Sequence, residues 1–367
     1  MSQRIKVGVV GAGIIAQVMH LHFLRELSDR YEISAICDIA PENGQNNADA
    51  YGVAKVFTDW QEMLKEPIDA VFILTSGTHA PIAIAAAKAG KHVLVEKPMC
   101  FSVAEGKEMD AAAKAAGTTL MVAYPKRYDP AFDRFRGEVA TVKDPRLFRV
   151  TTFEAPFLPY VSHYKLAPVT TPPAGEAAKW RTQTDASIKA AIGTDDPFLS
   201  KIYHLVLLDT LVHEINTTRA ILGEPDVLEY VDFKETGLNA YFKFGGIPVA
   251  INWIDLQGIT RYGMEFAHYG PEKRVTLTFP SPFLRNAPTM LEIEGGEVGT
   301  PRTWATEELT SFDSAFKNEL IEFYKCVTEK KAPITSATDA MHDLAICQNI
   351  IKSYQTKQPI NNPSSIS

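Results

Sequence analysis

Apolar and polar positions change rhythm about a third of the way along the chain. From residue 4 the unbroken apolar runs KVGVV, YEISAIC, DAVFILT, KHVLVEK and TLMVA predict short strands. Between them, alanine-rich stretches near 14–28, 41–50, 59–65, 79–89 and 102–116 carry helical periodicity. Runs of Val, Ile and Leu without polar alternation predict strands buried on both faces, and strand–helix alternation predicts a parallel sheet covered by helices. From about 125 the pattern differs. A helix over YDPAFDRFRGEVA leads into the strand RLFRVTTFEA, and further strands are expected near 226–234, 238–244, 248–256, 262–269, 273–279 and 290–294. Their close spacing predicts an open, mostly antiparallel sheet. Two closing helices near 312–329 and 337–355 are amphipathic enough to pack back on the first domain, and the tail NNPSSIS reads as disordered. The expectation is an α/β domain over 1–124 and an α+β domain over 125–367 for substrate binding and oligomerisation.

The first strand runs straight into GAGIIA. Gly11, Gly13 and Ala16 fit a G-x-G-x-x-G/A turn: one glycine for the tight turn, one for close approach of a pyrophosphate, and a small residue for helix packing. Gly11, Gly13, Ile14 and Ile15 would then offer backbone N–H groups at a helix N-terminus, where an anion is favoured. Glycine turns also arise for steric reasons alone, so context decides. Here the motif follows a strand, opens a helix, and is followed by Asp38 at the end of the second strand. An acidic side chain there accepts from an adenosine ribose. The expected fold is therefore a Rossmann domain. Asp38 repels a 2′-phosphate and no arginine follows it in IAP, which favours NAD over NADP; the competing reading is a turn or N-cap aspartate before PENG. After the next strand, Thr75, Ser76 and His79 lie on a strand-to-helix turn at the same edge and are candidates for ribose or phosphate contacts.

The run KHVLVEKPMC poses a different question, because an apolar strand ends abruptly in Glu96, Lys97 and Pro98. Proline cannot donate to a sheet ladder, so the strand must stop there. Lys97 then stands at the carboxyl edge of a parallel sheet, where ligands of such folds bind. An ammonium at that point can donate to an alcohol oxygen and favour its ionisation as hydride leaves carbon, with Glu96 orienting it. A strand-capping salt bridge is the plainer alternative.

Composition narrows the rest. The chain of 367 residues has a formal net charge of −7, which gives no reason to expect nucleic acid or an anionic membrane as partner. No apolar run approaches the roughly 18 residues of a membrane-spanning helix. Cys37, Cys100, Cys326 and Cys347 lack metal or CxxC spacing, consistent with a reducing, cytoplasmic setting. No metal site is expected.

GAGIIA, Asp38, TSGTHA and above all VEKP, with MVAYPKRYDPAF after them, resemble the Gfo/Idh/MocA oxidoreductases. In the second half, LLDTLVHEINTTRAILGEP reads as a helix, with Asp209 and His213 four apart on one face. Imidazole is a plausible base near neutral pH, although a lone helix histidine is more often a satisfied core or surface group. The run is similar to the family's D-x-x-x-H helix, whose Asp and His act with the EKP lysine. The resemblance thus implies Lys97, Asp209 and His213 as the catalytic set. Two departures are visible: no glycine-rich run precedes the helix, and residue 214 is Glu where Asp is frequent. His204 is a rival proton acceptor.

Residues 155–200 show little periodicity, and Arg127, Tyr160, His163, Trp180 and Arg181 are candidates for sugar contacts through aromatic faces and polar tips. The combined expectation is NAD-dependent oxidation or reduction of a secondary hydroxyl of a sugar, glycoside or cyclitol by a homodimer or homotetramer. The alternatives are a glycosidase working through transient oxidation and a non-catalytic NAD sensor.

Overall fold

A computed structural model of the chain describes residues 4–366. Two compact units interleave along the sequence. One comprises Met1–Tyr124, Tyr164–Ser200 and Glu319–Leu344; the other comprises Pro125–His163, Lys201–Asn318 and Ala345–Ser367.

The first unit is built on a six-stranded sheet of β1 (Ile5–Val10), β2 (Tyr31–Cys37), β3 (Val56–Phe57), β4 (Ala70–Ile73), β5 (His92–Glu96) and β6 (Leu120–Ala123) in the order β3-β2-β1-β4-β5-β6. Every pairing is parallel. The unbroken apolar runs have the predicted consequence: β4 and β6 are buried at every position. This is the expected Rossmann arrangement, with the strand order reversing beside β1 so that a crevice opens at the carboxyl ends. Tyr31 anchors the later segment, its hydroxyl donating to the Leu320 carbonyl at 2.5 Å, while Phe72 meets Phe323 edge-on at 5.3 Å.

The second unit holds a nine-stranded sheet. Its strands are β7 (Leu147–Glu154), β8 (Val227–Lys234), β9 (Gly237–Phe244), β10 (Ile247–Asp255), β11 (Gly263–Tyr269), β12 (Lys273–Phe279), β13 (Met290–Gly296), β14 (Thr303–Leu309) and β15 (Ile360–Asn361). The order is β14-β13-β12-β11-β7-β10-β9-β8-β15, antiparallel throughout except for β10 against β7. Alternation divides its faces. Val231, Ala240, Ile251, Val150, Phe266, Leu277 and Leu291 form a buried row, whereas Tyr230 and Tyr241 stand exposed on the other face.

Three features depart from the sequence pattern. Residues 155–200, expected to lack regular structure, contain a helix at Ala174–Ile192. Only Thr184 and Ile188 of this helix are buried, so no apolar stripe marks it, although its Ala, Glu, Lys and Gln residues are strong helix formers. The tail expected to be disordered is paired instead: Asn361 lies opposite Val227, the Asn362 amide donates to Asp226, and the Pro363 carbonyl accepts from Asn349. Finally, two helical stretches are π-helical, at Ala16–His20 and Ile202–Leu211.

Candidate active site

At the carboxyl edge of the parallel sheet, the glycine turn is held by the end of β2. The Gly11 amide donates to the Cys37 carbonyl at 2.8 Å, and the Ala12 amide donates to Asp38 Oδ2 at 2.9 Å. Gly11 has φ +91°, and a Cβ there would lie 2.7 Å from the Thr75 amide nitrogen, so only glycine fits. Gly13 is the opposite case: a Cβ built on it meets nothing within 4 Å. Gly13, Ile14 and Ile15 are partly accessible while Ala12 and Ala16 are buried. The first helical bond runs from Gln17 N to Gly13 O, which leaves the amides just ahead of it for an outside acceptor.

Asp38 also receives the Ala40 amide on Oδ1 and the Asn43 side-chain amide on Oδ2. Its carboxylate therefore builds the turn, the structural role weighed from sequence. Thr75 Oγ1 is buried without a hydrogen-bond partner. The open side of Gly13, the orphaned Thr75 hydroxyl and the carboxylate at the end of β2 fit a dinucleotide: pyrophosphate on the glycine turn and ribose hydroxyls toward Asp38.

Glu96 and Lys97 end β5, with the Lys97–Pro98 bond cis. Glu96 is buried, and its Oε1 lies 2.7 Å from His20 Nε2 at the end of the π-helical turn. Burial raises the Glu96 pKa, but His20, Lys97 and His79 more than offset it and hold the carboxyl below its ordinary value. His79 is buried as well. Its Nδ1 lies 2.8 Å from the Pro98 carbonyl and its Nε2 2.7 Å from the Thr75 carbonyl. Burial lowers the imidazole's pKa despite these contacts, so the neutral ring donates from one nitrogen at a time. His79 thus braces the lysine turn against the Thr75 turn, and Ser76 beside it is exposed.

Residues 164–200 cross this same edge. The Ala167 amide donates to Gln17 Oε1 at 2.8 Å, and the Trp180 indole lies so close to Gly77 that a Cβ there would come within 2.3 Å of it. Arg181, the next residue, is exposed. His20 and Gln17 were not singled out from the sequence; on an apolar helix they read only as interior polar groups.

In the second unit, Asp209 and His213 lie on a helical stretch that is π-helical over Ile202–Leu211 and α-helical over Val212–Leu222. The α-helical spacing expected for the pair is therefore corrected: Asp209 sits in wider turns, with the Val212 amide bonded to the Leu207 carbonyl five residues back. Bonds of this type stack residues five apart. Asp209 is exposed and His204 and His213 are half-buried, whereas Tyr203, Val206–Leu208, Leu211 and Val212 are buried. The outcome is one accessible strip carrying His204, Asp209 and His213.

The remaining candidates in this unit are engaged locally. Arg127 Nη1 donates to Asn216 Oδ1 at 3.1 Å. The Tyr160 hydroxyl donates to the Thr260 carbonyl and accepts the Tyr262 amide at 2.8 Å. His163 is exposed. Among the described residues, no group of three or more His, Cys, Asp or Glu side chains could hold a metal, and no helix is long and apolar enough to cross a membrane.

Comparison with known proteins agrees with this edge. Residues 5–124 match the Gfo/Idh/MocA family model, described as oxidoreductase, NAD-binding Rossmann fold, in keeping with NAD as the cofactor. An uncharacterised oxidoreductase of Bacillus subtilis, YrbE, is 34% identical over 170 residues, covering 44% of this chain and 48% of that protein. The myo-inositol 2-dehydrogenase of Thermotoga maritima is 31% identical over 151 residues, covering 40% and 45%. The chain thus spans about half the length of the curated relatives it matches. A levoglucosan dehydrogenase solved with NADH and L-sorbose shares the fold across 99% of this chain and 100% of that one, at a TM-score of 0.75 and 20% identity.

Proposed function

We propose that the chain is an NAD-dependent dehydrogenase acting on a secondary hydroxyl of a sugar, glycoside or cyclitol. The observation that carries this reading is the mounting of Lys97. Its neighbour Glu96 is pinned by His20 and the following proline by His79, so the ammonium stands on a braced turn at the carboxyl end of β5. A preorganised donor of this kind stabilises an alkoxide as it forms. In this reaction His213 accepts the hydroxyl proton and Asp209 positions the substrate. NAD, when bound, accepts the hydride. A relative named for myo-inositol and a fold neighbour solved with L-sorbose support the polyol class. The face of the nine-stranded sheet bearing Tyr230 and Tyr241 is the surface we assign to association into a homodimer or homotetramer.

The test is a 340-nm absorbance screen with NAD against sugars, glycosides and inositols, followed by variants on the best substrate. Net NADH should accumulate, and Lys97→Ala and His213→Ala should each lower turnover about a hundredfold or more while NAD still binds. Near-normal turnover in both variants would overturn the roles. Product formation without net NADH would point to transient oxidation instead.

A further inference from the structure

Directly after His213 comes a carboxyl that the proposed reaction does not use. Glu214 has no exposed surface, and its Oε1 accepts the hydroxyl of Thr152, itself fully buried on β7. Oε2 is buried without a hydrogen-bond partner. The charged and titratable groups around it come from three other elements: Lys126 from the turn at Pro125–Tyr128, Glu154 from the end of β7, and Tyr262 just ahead of β11. Lys126 is itself buried, with its ammonium 6.0 Å from the centre of the Phe279 ring. Two residues further along the helix, Asn216 accepts from Arg127. The N-terminal half of Val212–Leu222 is thereby tied to β7 by one side chain and to the Pro125–Tyr128 turn by another, on the helix that also carries His213.

We propose that Glu214 is a positioning residue for His213: its buried carboxyl, anchored to Thr152, sets the π-to-α junction and transmits its own charge state to the imidazole one residue away. The structural reason is adjacency without exposure. A carboxyl that cannot reach water must respond to its charge by moving the backbone or its partners, and His213 shares that backbone. Burial pushes Glu214 up to about 7, against the opposing pull of Lys126 and the Thr152 hydrogen bond, while Glu154 adds to the rise. The carboxyl therefore changes charge within the range where an imidazole base operates. This inference rests on the reading of His213 as the proton acceptor, and its test is independent of turnover.

The experiment is a pH titration of the His213 ring by NMR on the full chain with NAD, using 13C-labelled histidine and His213→Asn for assignment. In the wild type the His213 signal should show its own inflection and a second one near 7. Glu214→Gln, which keeps the shape and the Thr152 contact, should lose the second inflection and keep the first. Thr152→Val removes a hydrogen bond that favours the ionised carboxyl, so it should move the second inflection upward. Identical His213 curves in wild type and Glu214→Gln would overturn the proposal. If Glu214→Gln does not fold, an unmoved inflection in Thr152→Val does the same. Absence of polyol turnover would count against the dehydrogenase reading and leave this result standing.

Discussion

Glu96 and His20 form a hydrogen-bonded pair of 2.7 Å with almost no exposed surface, joining the end of β5 to the helix that follows the glycine turn. The residue ahead of Lys97 is therefore held by the same helix that the glycine turn opens, the turn to which we assign the pyrophosphate. Placement of the amine and placement of the cofactor are one structural problem here.

Removing His20 leaves Glu96 Oε1 buried without its side-chain partner, while the Lys97 amide still donates to Oε2. His20→Phe should cost about 3 kcal/mol or more of stability, the usual result of deleting one partner of a buried pair. Glu96→Gln, which can still accept from His20, should cost about 1 kcal/mol. Thermal or urea unfolding of the two variants checks this order, and the reverse order would show that the pair does not brace the turn.

Gly11 and Gly77 make different demands. Gly11→Ala places a methyl group against the Thr75 backbone at φ +91°, so it should weaken NAD binding at least tenfold by calorimetry, through strain of about 1–3 kcal/mol. At Gly77, with φ +100°, the obstacle is the Trp180 indole. Gly77→Ala should therefore be partly rescued by Trp180→Ala, whereas Gly11→Ala should not. Equal behaviour of the two glycines toward Trp180→Ala would contradict the contact.

Asp38 organises the glycine turn through three donors, and the proposed reading places a ribose of NAD against its carboxylate. Asp38→Ala should raise the Kd for NAD about tenfold or more, since hydrogen bonds to a charged group contribute roughly 1.5–3 kcal/mol. It should also narrow the preference for NAD over NADP by removing the charge that repels a 2′-phosphate. Paired binding measurements decide this, and tighter NADP than NAD binding in the wild type would contradict it.

Glu214 makes stability depend on pH in a defined direction. Its folded-state pKa of about 7 lies above the ordinary 4.5, so the folded chain keeps a proton that the unfolded chain has lost. Its contribution is whole below about 4.5 and is lost as pH rises to 7. Between pH 5 and 8 the wild type should lose on the order of 2–3 kcal/mol relative to Glu214→Gln. Unfolding curves of both proteins across that range are the check; parallel curves would refute it.

Much of the site's outline was legible locally. GAGIIA after a strand marks a dinucleotide turn because glycine's conformational freedom and small volume are properties of the residue itself. The end of β5 was legible for the same reason, since Pro98 stops a strand wherever it occurs. The helix at Ala174–Ile192 was not, because it offers no apolar stripe and earns its place by packing Trp180 onto a glycine about a hundred residues earlier in the chain. The π-helical turns at Ile202–Leu211 were equally hidden: Asp209 and His213 are four apart in any helix, and side-chain packing against the interior decides how wide its turns are.

The amino-acid order by itself determined the two kinds of sheet, the glycine turn, the acidic residue at the end of β2 and the lysine at the end of β5, all set by local periodicity and backbone limits. Tertiary structure alone decided that His20 holds Glu96, that His79 braces the lysine turn, and that Thr152 meets Glu214. Those partners lie 76, 19 and 62 residues apart. Which buried polar group finds which partner depends on chain packing, because the cost of leaving either one unpaired is felt only once water has been excluded.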